Sequence, residues 1–217
     1  MRICAIWANC PGCSPGGNDM RLLVIRHGQT AYNLEQRYLG ALDPPLNATG
    51  IRQTEALRDS LPAAIDALVC SPLLRARQSA EIIAQGRRIL VEEAFRERNV
   101  GAFEGLTRDE ARARFPESWR RNITRQWHDA PNGGETIAKV FERVTHGLER
   151  LIQRDPQATV ALVAHGFVAK VIRAIALGYR RDLFDWQLDN AQYCELQPSL
   201  PLARFDTTLN DASTESI

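Results

Sequence analysis

Arg26-His27-Gly28 closes an apolar run, Leu22 to Ile25, and puts a guanidinium and an imidazole in consecutive positions. A buried strand that ends this way carries both groups to the rim of a sheet. Gly28 lets the chain turn there and lets a ligand approach the backbone closely. Open α/β sheets bind ligands beyond the carboxyl ends of their strands, so place and residue type agree. Taken alone, the motif also fits a surface histidine beside an ordinary loop. A second junction repeats it: Thr159-Val-Ala-Leu-Val-Ala164 runs into His165-Gly166. The chain has 4 histidines, and His27 and His165 occupy equivalent strand ends, which points to a pair converging on one pocket.

A third junction adds a cation. Ala67 to Cys70 reads as a strand running into Ser71-Pro-Leu-Leu-Arg75-Ala-Arg77. Ser71 is expected as the N-cap, with Pro72 in the first turn and Arg75 about one turn into the helix. Arg26 and Arg75 then offer planar forks suited to phosphate oxygens. The helix starts after Ser71 and His165 add backbone N–H donors and positive dipole ends. Arg77 is expected to serve as a structural ion-pair partner.

Such an anion pocket needs a nucleophile and an acid. The sequence shows no serine elbow, reactive cysteine motif or carboxylate metal cluster, which leaves a ring nitrogen of histidine. Nearby cations disfavour imidazolium and keep that ring neutral. Protonating a leaving alkoxide calls for a carboxyl group at the pocket mouth. Glu97 follows a short third strand, Ile89 to Val91. Glu104 is its rival and better suited to cap backbone N–H groups of a loop. Spacing alone leaves both open.

The scaffold these groups require can be read from the alternation of segments. Asn47 and its neighbours can cap a helix running to about Ser60 before Pro62, and the helix after Cys70 ends near Gly86. Ile137, Val140, Phe141, Val144, Leu148, Leu151 and Ile152 recur at helical steps, Ala158 to Ala164 is the most apolar strand, and Val168, Val171, Ile172 and Ile175 mark a final helix. The pattern predicts an α/β fold, a three-layer α/β/α sandwich with a mostly parallel central sheet. Residues from about Gly101 to Trp127 are polar and arginine-rich and are expected to form a small cap of loop and short helices.

The 217 residues suffice for one domain with a full core. A formal charge of +1 argues against broad binding to nucleic acid or membrane. No apolar run is long enough to cross a bilayer, and nothing demands an oxidising compartment, so a cytoplasmic protein is expected. Residues 1–19 read as a flexible extension or a start placed one methionine early, 20–206 as the domain, and 207–217 as a frayed tail. Cys10-Pro-Gly-Cys13 has C-x-x-C spacing but no second ligand pair nearby, so neither metal nor redox chemistry is expected there. Cys70 and Cys194 are expected as buried thiols.

Several motifs together resemble the histidine phosphatase superfamily, the phosphoglycerate-mutase-like group. They are Arg26-His27-Gly28-Gln29-Thr30 with Asn33, Ser71-Pro-Leu-Leu-Arg75-Ala-Arg-Gln78-Ser-Ala80, Glu97 before Gly101-x-Phe-Glu-Gly105, Gly133-Gly-Glu-Thr136 and Val163-Ala-His165-Gly166. The likeness runs from Met20 to about Leu196. It implies that His27 becomes a phosphohistidine, that Arg26, Arg75 and His165 hold the phosphoryl group, and that Glu97 is the proton donor. It implies, too, that Gln29, Asn33, Gly40 and Gly166 contribute to substrate binding. Neither metal nor cofactor is expected, and the partner is a small phosphorylated metabolite, with the oligomeric state open between monomer and homodimer.

The superfamily contains hydrolases and mutases. Where mutases typically carry Asn after the second His-Gly, this chain has Phe167, and it lacks their longer insertions. Trp119-Arg120-Arg121 resembles a mutase anchor and keeps cofactor-dependent phosphoglycerate mutase as an alternative. The third alternative is an inactive phospho-ligand-binding member. The likeness is strongest to small broad-specificity phosphatases and α-ribazole-phosphate phosphatases, with specificity expected to lie in the cap.

Overall fold

A computed structural model describes residues 20–205. Readings that fall on the first nineteen residues and on the tail after Phe205 lie outside the described residues. The chain forms β1 (Arg21–Arg26), α1 (Ala31–Leu34), α2 (Ala48–Ser60), β2 (Ala67–Cys70), α3 (Leu74–Ala84), β3 (Ile89–Val91), α4 (Arg108–Arg114), α5 (Pro116–Arg120), α6 (Ile137–Arg154), β4 (Thr159–Ala164), α7 (Gly166–Leu177) and β5 (Tyr193–Leu196). Three 3₁₀ turns lie at Glu93–Phe95, Gly101–Phe103 and Ile123–Arg125.

The strands order as β3-β2-β4-β1-β5, with the first four parallel and β5 antiparallel to β1. Because strand side chains alternate, the sheet contributes to a core on each face. Leu22, Val24, Val69, Val160 and Leu162 pack with α6 and α7, whereas Leu23, Ile25, Leu68, Ala161 and Val163 pack with α2 and α3. These strands are buried on both sides, which is why they read as continuous apolar runs rather than alternating ones. The result is the three-layer α/β/α arrangement. A third, smaller cluster of Phe103, Leu106, Ala111 and Ile123, with Tyr38, Phe115 and Trp119 against it, gives the cap its own core.

Four of the strands agree with the sequence reading to within a residue; β5 was not foreseen, nor was α1. Helix α2 starts as expected, with the Asn47 side chain accepting from the Gly50 N–H at 2.8 Å. Helix α3 does not. Its N-cap is Leu73, so Ser71 is no cap and Arg75 is the second helical residue rather than a turn deeper. The Ser71 hydroxyl is instead drawn to His165. Arg77 is exposed and makes no ion pair among the described residues, contrary to expectation. Cys70 is buried, but Cys194 on the edge strand is only half-buried. No helix among the described residues is long and apolar enough to cross a membrane.

Candidate active site

Sheet order explains why three sequence junctions meet. Strand β4 lies between β1 and β2, with Arg26 opposite Ala164 and Val163 opposite Cys70. The residues that follow, His27, His165 and Ser71, therefore leave one sheet edge side by side. The two imidazole rings stand 5.1 Å apart, edge to face. Arg75, fully buried at the start of α3, reaches back so that its Nε lies 3.3 Å from His27 Nε2.

The turn after β1 is held by packing. A Cβ on Gly28 would lie 2.4 Å from the Gly50 carbonyl oxygen and 2.6 Å from Thr54 Oγ1, so only glycine lets α2 come this close. The Gly28 N–H donates to Ser79 Oγ on α3. Asn190, from the segment before β5, donates through Nδ2 to the His27 carbonyl at 3.0 Å and to Asn33 Oδ1 at 3.2 Å.

Hydrogen bonding fixes the His27 tautomer. Nδ1 lies 2.7 Å from the Gly28 carbonyl oxygen, which can only accept, so Nδ1 carries the proton. Nε2 keeps its lone pair, facing the Arg75 Nε–H. Burial, then Arg75 and Arg26, pushes the His27 imidazole well below its ordinary value and keeps it neutral.

His165 is arranged the other way round. Its Nε2 lies 2.7 Å from Ser71 Oγ, which also accepts the Leu73 N–H. When the hydroxyl donates to Nε2, the ring proton sits on Nδ1. Burial, Arg75, His27 and Arg26 hold His165 well below its ordinary value too. Its Nδ1 and the Nε of Arg26 are buried and find no hydrogen-bond partner among the described residues. Both belong to the group around His27, and unpartnered buried donors of this kind call for an acceptor. Arg26 is otherwise anchored through Nη1 to the Leu188 carbonyl at 2.8 Å.

The two glutamates divide as their surroundings dictate. Glu104 accepts from the backbone N–H groups of Gly40, Ala41, Leu42 and Val100 and so ties the 40–42 loop to the cap. Glu97 accepts from the Arg98 N–H at 2.8 Å and from Phe167 N–H, in the first turn of α7, at 3.1 Å. Its charge is felt by both Arg26 and Arg75. The helix-end donors expected to face an anion are thus partly engaged: Phe167 N–H by Glu97, and Leu74 N–H at α3 by Asp43 Oδ1 at 2.7 Å.

The remaining sequence candidates sit around this group. Gly40 offers its carbonyl to Arg75 Nη2 at 2.9 Å, and a Cβ there would lie 2.1 Å from the Arg98 carbonyl oxygen. Gln29 braces α2 through Asn47. Asn33 closes a capping box with Thr30, its Oδ1 turned toward the loop and Asn190. Gly166 leaves room for the Arg26 guanidinium, 3.5 Å from where a Cβ would stand. No group of three or more His, Cys, Asp or Glu placed to hold a metal exists among the described residues.

Beyond Glu97 opens a cavity of about 570 Å³, whose wall includes Tyr38, Arg98, Arg108, Trp119, Arg125, Phe167, Lys170 and Phe184. Trp119 and a specificity role for this region were legible in the sequence; Arg108, Arg125 and Lys170 were not. Arg120 and Arg121, the arginines expected there, are exposed, and Arg121 pairs with Asp129. Ser71, Ser79 and Asn190 were also missed as parts of the site. For Ser71 the signal was present in its place directly after β2.

The model of the histidine phosphatase superfamily (branch 1) matches residues 22–204. A bifunctional protein of Mycobacterium tuberculosis is 38% identical over 76% of this chain, which spans about half (47%) of that relative's length. The uncharacterized phosphatase PhoE of Bacillus subtilis is 33% identical, over 77% of this chain and 83% of its own. Among solved structures, a mycobacterial glucosyl-3-phosphoglycerate phosphatase with VO₃ superposes with a TM-score of 0.71 at 29% identity, covering 81% of this chain and 91% of that one.

Proposed function

Because the chain belongs to the histidine phosphatase superfamily (branch 1), we propose that it hydrolyses small phosphomonoesters through a phosphohistidine on His27. The observation that carries this reading is the His27 ring itself: buried, neutral, its Nδ1 proton tied to the Gly28 carbonyl and its Nε2 lone pair exposed to two cations' field. In the first step Nε2 bonds to phosphorus as the phosphorus–alkoxide bond breaks in line, and Glu97 gives its proton to the leaving oxygen. In the second, a water oxygen bonds to phosphorus, the N–P bond breaks, and the water's proton goes to the Glu97 carboxylate.

Arg26 Nε and His165 Nδ1, the donors without protein partners, meet the phosphoryl oxygens, with Arg75 alongside. These fixed, buried donors stabilise the charge of the transferring group, and positioning carries most of the rate in such transfers. Gln29, Asn33, Gly40 and Gly166 act by shaping the loop walls. Of the Trp119-Arg120-Arg121 run that keeps the mutase alternative, Trp119 lines the cavity, while Arg120 and Arg121 are exposed and are not among its lining residues. An inactive member would not need all five of Arg26, His27, Arg75, Glu97 and His165 in place.

The test is p-nitrophenyl phosphate turnover in excess chelator, with intact mass measured after acid-free quenching. Wild type is expected to release nitrophenol and to carry an acid-labile phosphoryl adduct that His27→Ala abolishes. An adduct that survives in His27→Ala would move the nucleophile elsewhere, His165 first.

A further inference from the structure

The cavity beyond Glu97 has a charge pattern that hydrolysis of a simple phosphomonoester does not require. Its wall carries the cations Arg98, Arg108, Arg125 and Lys170 against one carboxylate, Glu97. Elsewhere in the molecule arginines are commonly matched to acids, as in Arg21–Glu195, Arg37–Glu110 and Arg143–Glu135. None of the four cavity cations makes an ion pair with an acid among the described residues. Arg108 lies over Trp119 at 5.8 Å and Arg125 over Phe184 at 5.0 Å. Arg98, only 3% exposed, is held by the carbonyls of Glu135 and Thr124 and stacks 5.3 Å from the Phe167 ring. Its Nη2 is buried with no partner among the described residues.

Lys170 stands one turn into α7, half-buried, without a hydrogen bond to any described residue. Burial, Arg125 and Arg26 hold its ammonium below its ordinary value, outweighing Asp185 and Glu97. Burial likewise brings Arg98 down to about 10. Arg108 and Arg125 are exposed, Lys170 is half-buried and Arg98 is buried; cations gathered around such part-buried charges repel one another, and a bound anion relieves that cost.

Resting on the phosphatase reading, we propose that the substrate's leaving group carries a second anionic group, a carboxylate or phosphate, on a body that packs against Trp119 and Phe184. Lys170 and Arg125 receive that group, with Arg98 behind them, while the scissile phosphate sits at His27. The cavity's aromatic walls serve twice. They seat the arginines by cation–π contact and offer the leaving group an apolar surface.

Benzylphosphonates, which cannot turn over, read this subsite independently of catalysis. Calorimetry would compare 4-carboxybenzylphosphonate with its neutral isostere, 4-carbamoylbenzylphosphonate, and with a probe bearing a second phosphonate in the same place. At least one charged probe is expected to bind about tenfold or more tighter than the amide, as for a hydrogen bond to a charged group, and the tighter of the two identifies the anion. Lys170→Met and Arg125→Gln are each expected to shrink that ratio several-fold, and raising the salt should shrink it too. Equal binding of all three probes by wild type, or an undiminished preference in the double variant, overturns the proposal. Turnover of phenyl phosphate is followed in parallel. Its absence alongside a preserved charge preference sinks the phosphatase reading and leaves the anionic subsite standing.

Discussion

At the scale of single residues, the proposed site depends on two neutral histidines that carry the proton on the same ring nitrogen, Nδ1, but turn opposite nitrogens to the pocket. On the proposed mechanism His27 acts through a bare Nε2, which the Gly28 carbonyl favours by holding the proton on Nδ1, and His165 acts through Nδ1–H, which a Ser71 hydroxyl donating to Nε2 favours. Ser71→Ala should therefore free the His165 ring to take the wrong tautomer. We expect kcat to fall by about ten- to a hundredfold, less than the loss of a direct oxyanion donor, with a smaller change in KM. Ser71→Thr, which keeps the hydroxyl, should recover most of the loss, and a Ser71→Ala enzyme with unchanged kcat would remove Ser71 from this role. The His27 imidazole should titrate in the free enzyme below its ordinary 6.5, and Arg75→Met should move the NMR titration upward, since one of the depressing charges is gone. Much of this was legible because Arg26, His27, Arg75 and His165 follow apolar runs. The cavity cations were not, because nothing local distinguishes Arg125, which lines the cavity, from Arg121, which does not, although both are exposed. Only the folding of the cap decides which arginine comes to stand over Phe184 at the cavity wall.

At the scale of elements, the position of Glu97 is set by packing several residues away. The 3₁₀ turn Glu93–Phe95 lies against α6, where a Cβ on Gly147 would fall 2.7 Å from Ala94 Cβ and 3.1 Å from Phe95 Cζ. Gly147→Ala gains about 1 kcal/mol in helix propensity but must push this turn outward, an overpacking cost of about 1–3 kcal/mol. We expect a modest fall in the urea midpoint together with a larger fall in kcat, as Glu97 is carried off its place two residues downstream. An unchanged kcat would show that the turn yields without moving the carboxylate. Helix α6 itself was plain in the sequence because its apolar stripe is long. Strand β5 was not, since Tyr193-Cys-Glu-Leu is an edge strand with intermediate burial and alternation too short to separate from loop. The start of α3 was misread for a physical reason: Ser71 has a strong cap preference, but the His165 ring competes for its hydroxyl.

At the scale of the molecule, the buried histidines tie stability to pH. Unfolded imidazoles take up protons below about 6.5, whereas the folded rings stay neutral to well below that value. In that window the unfolded state binds more protons, so stability is complete above about pH 6.5 and drains away as pH falls. Two such groups contribute a slope of about 2.7 kcal/mol per pH unit. Urea titrations between neutral and mildly acid pH should show this slope roughly halved in His165→Gln, and an unaltered slope would assign the acid limit to carboxylates instead. The three-layer architecture was foreseeable because doubly buried strands and amphipathic helices alternate along the chain; the strand order was not, since periodicity carries no information about which strands become neighbours.

That strand order has a consequence in time. Among the described residues β1 neighbours only β4 and β5, so within them the strand bearing Arg26 and leading into His27 has no partner until Thr159 and the residues after it exist. On a ribosome adding about 5–20 residues per second, the apolar Leu22–Ile25 centre of this strand waits on the order of ten seconds for its first neighbour. No amino-terminal fragment ending before β4 can assemble the histidine pair. The emerging chain therefore presents a sticky segment before it has any activity, and a holding chaperone that recognises extended apolar sequence has its natural target at Leu22–Ile25.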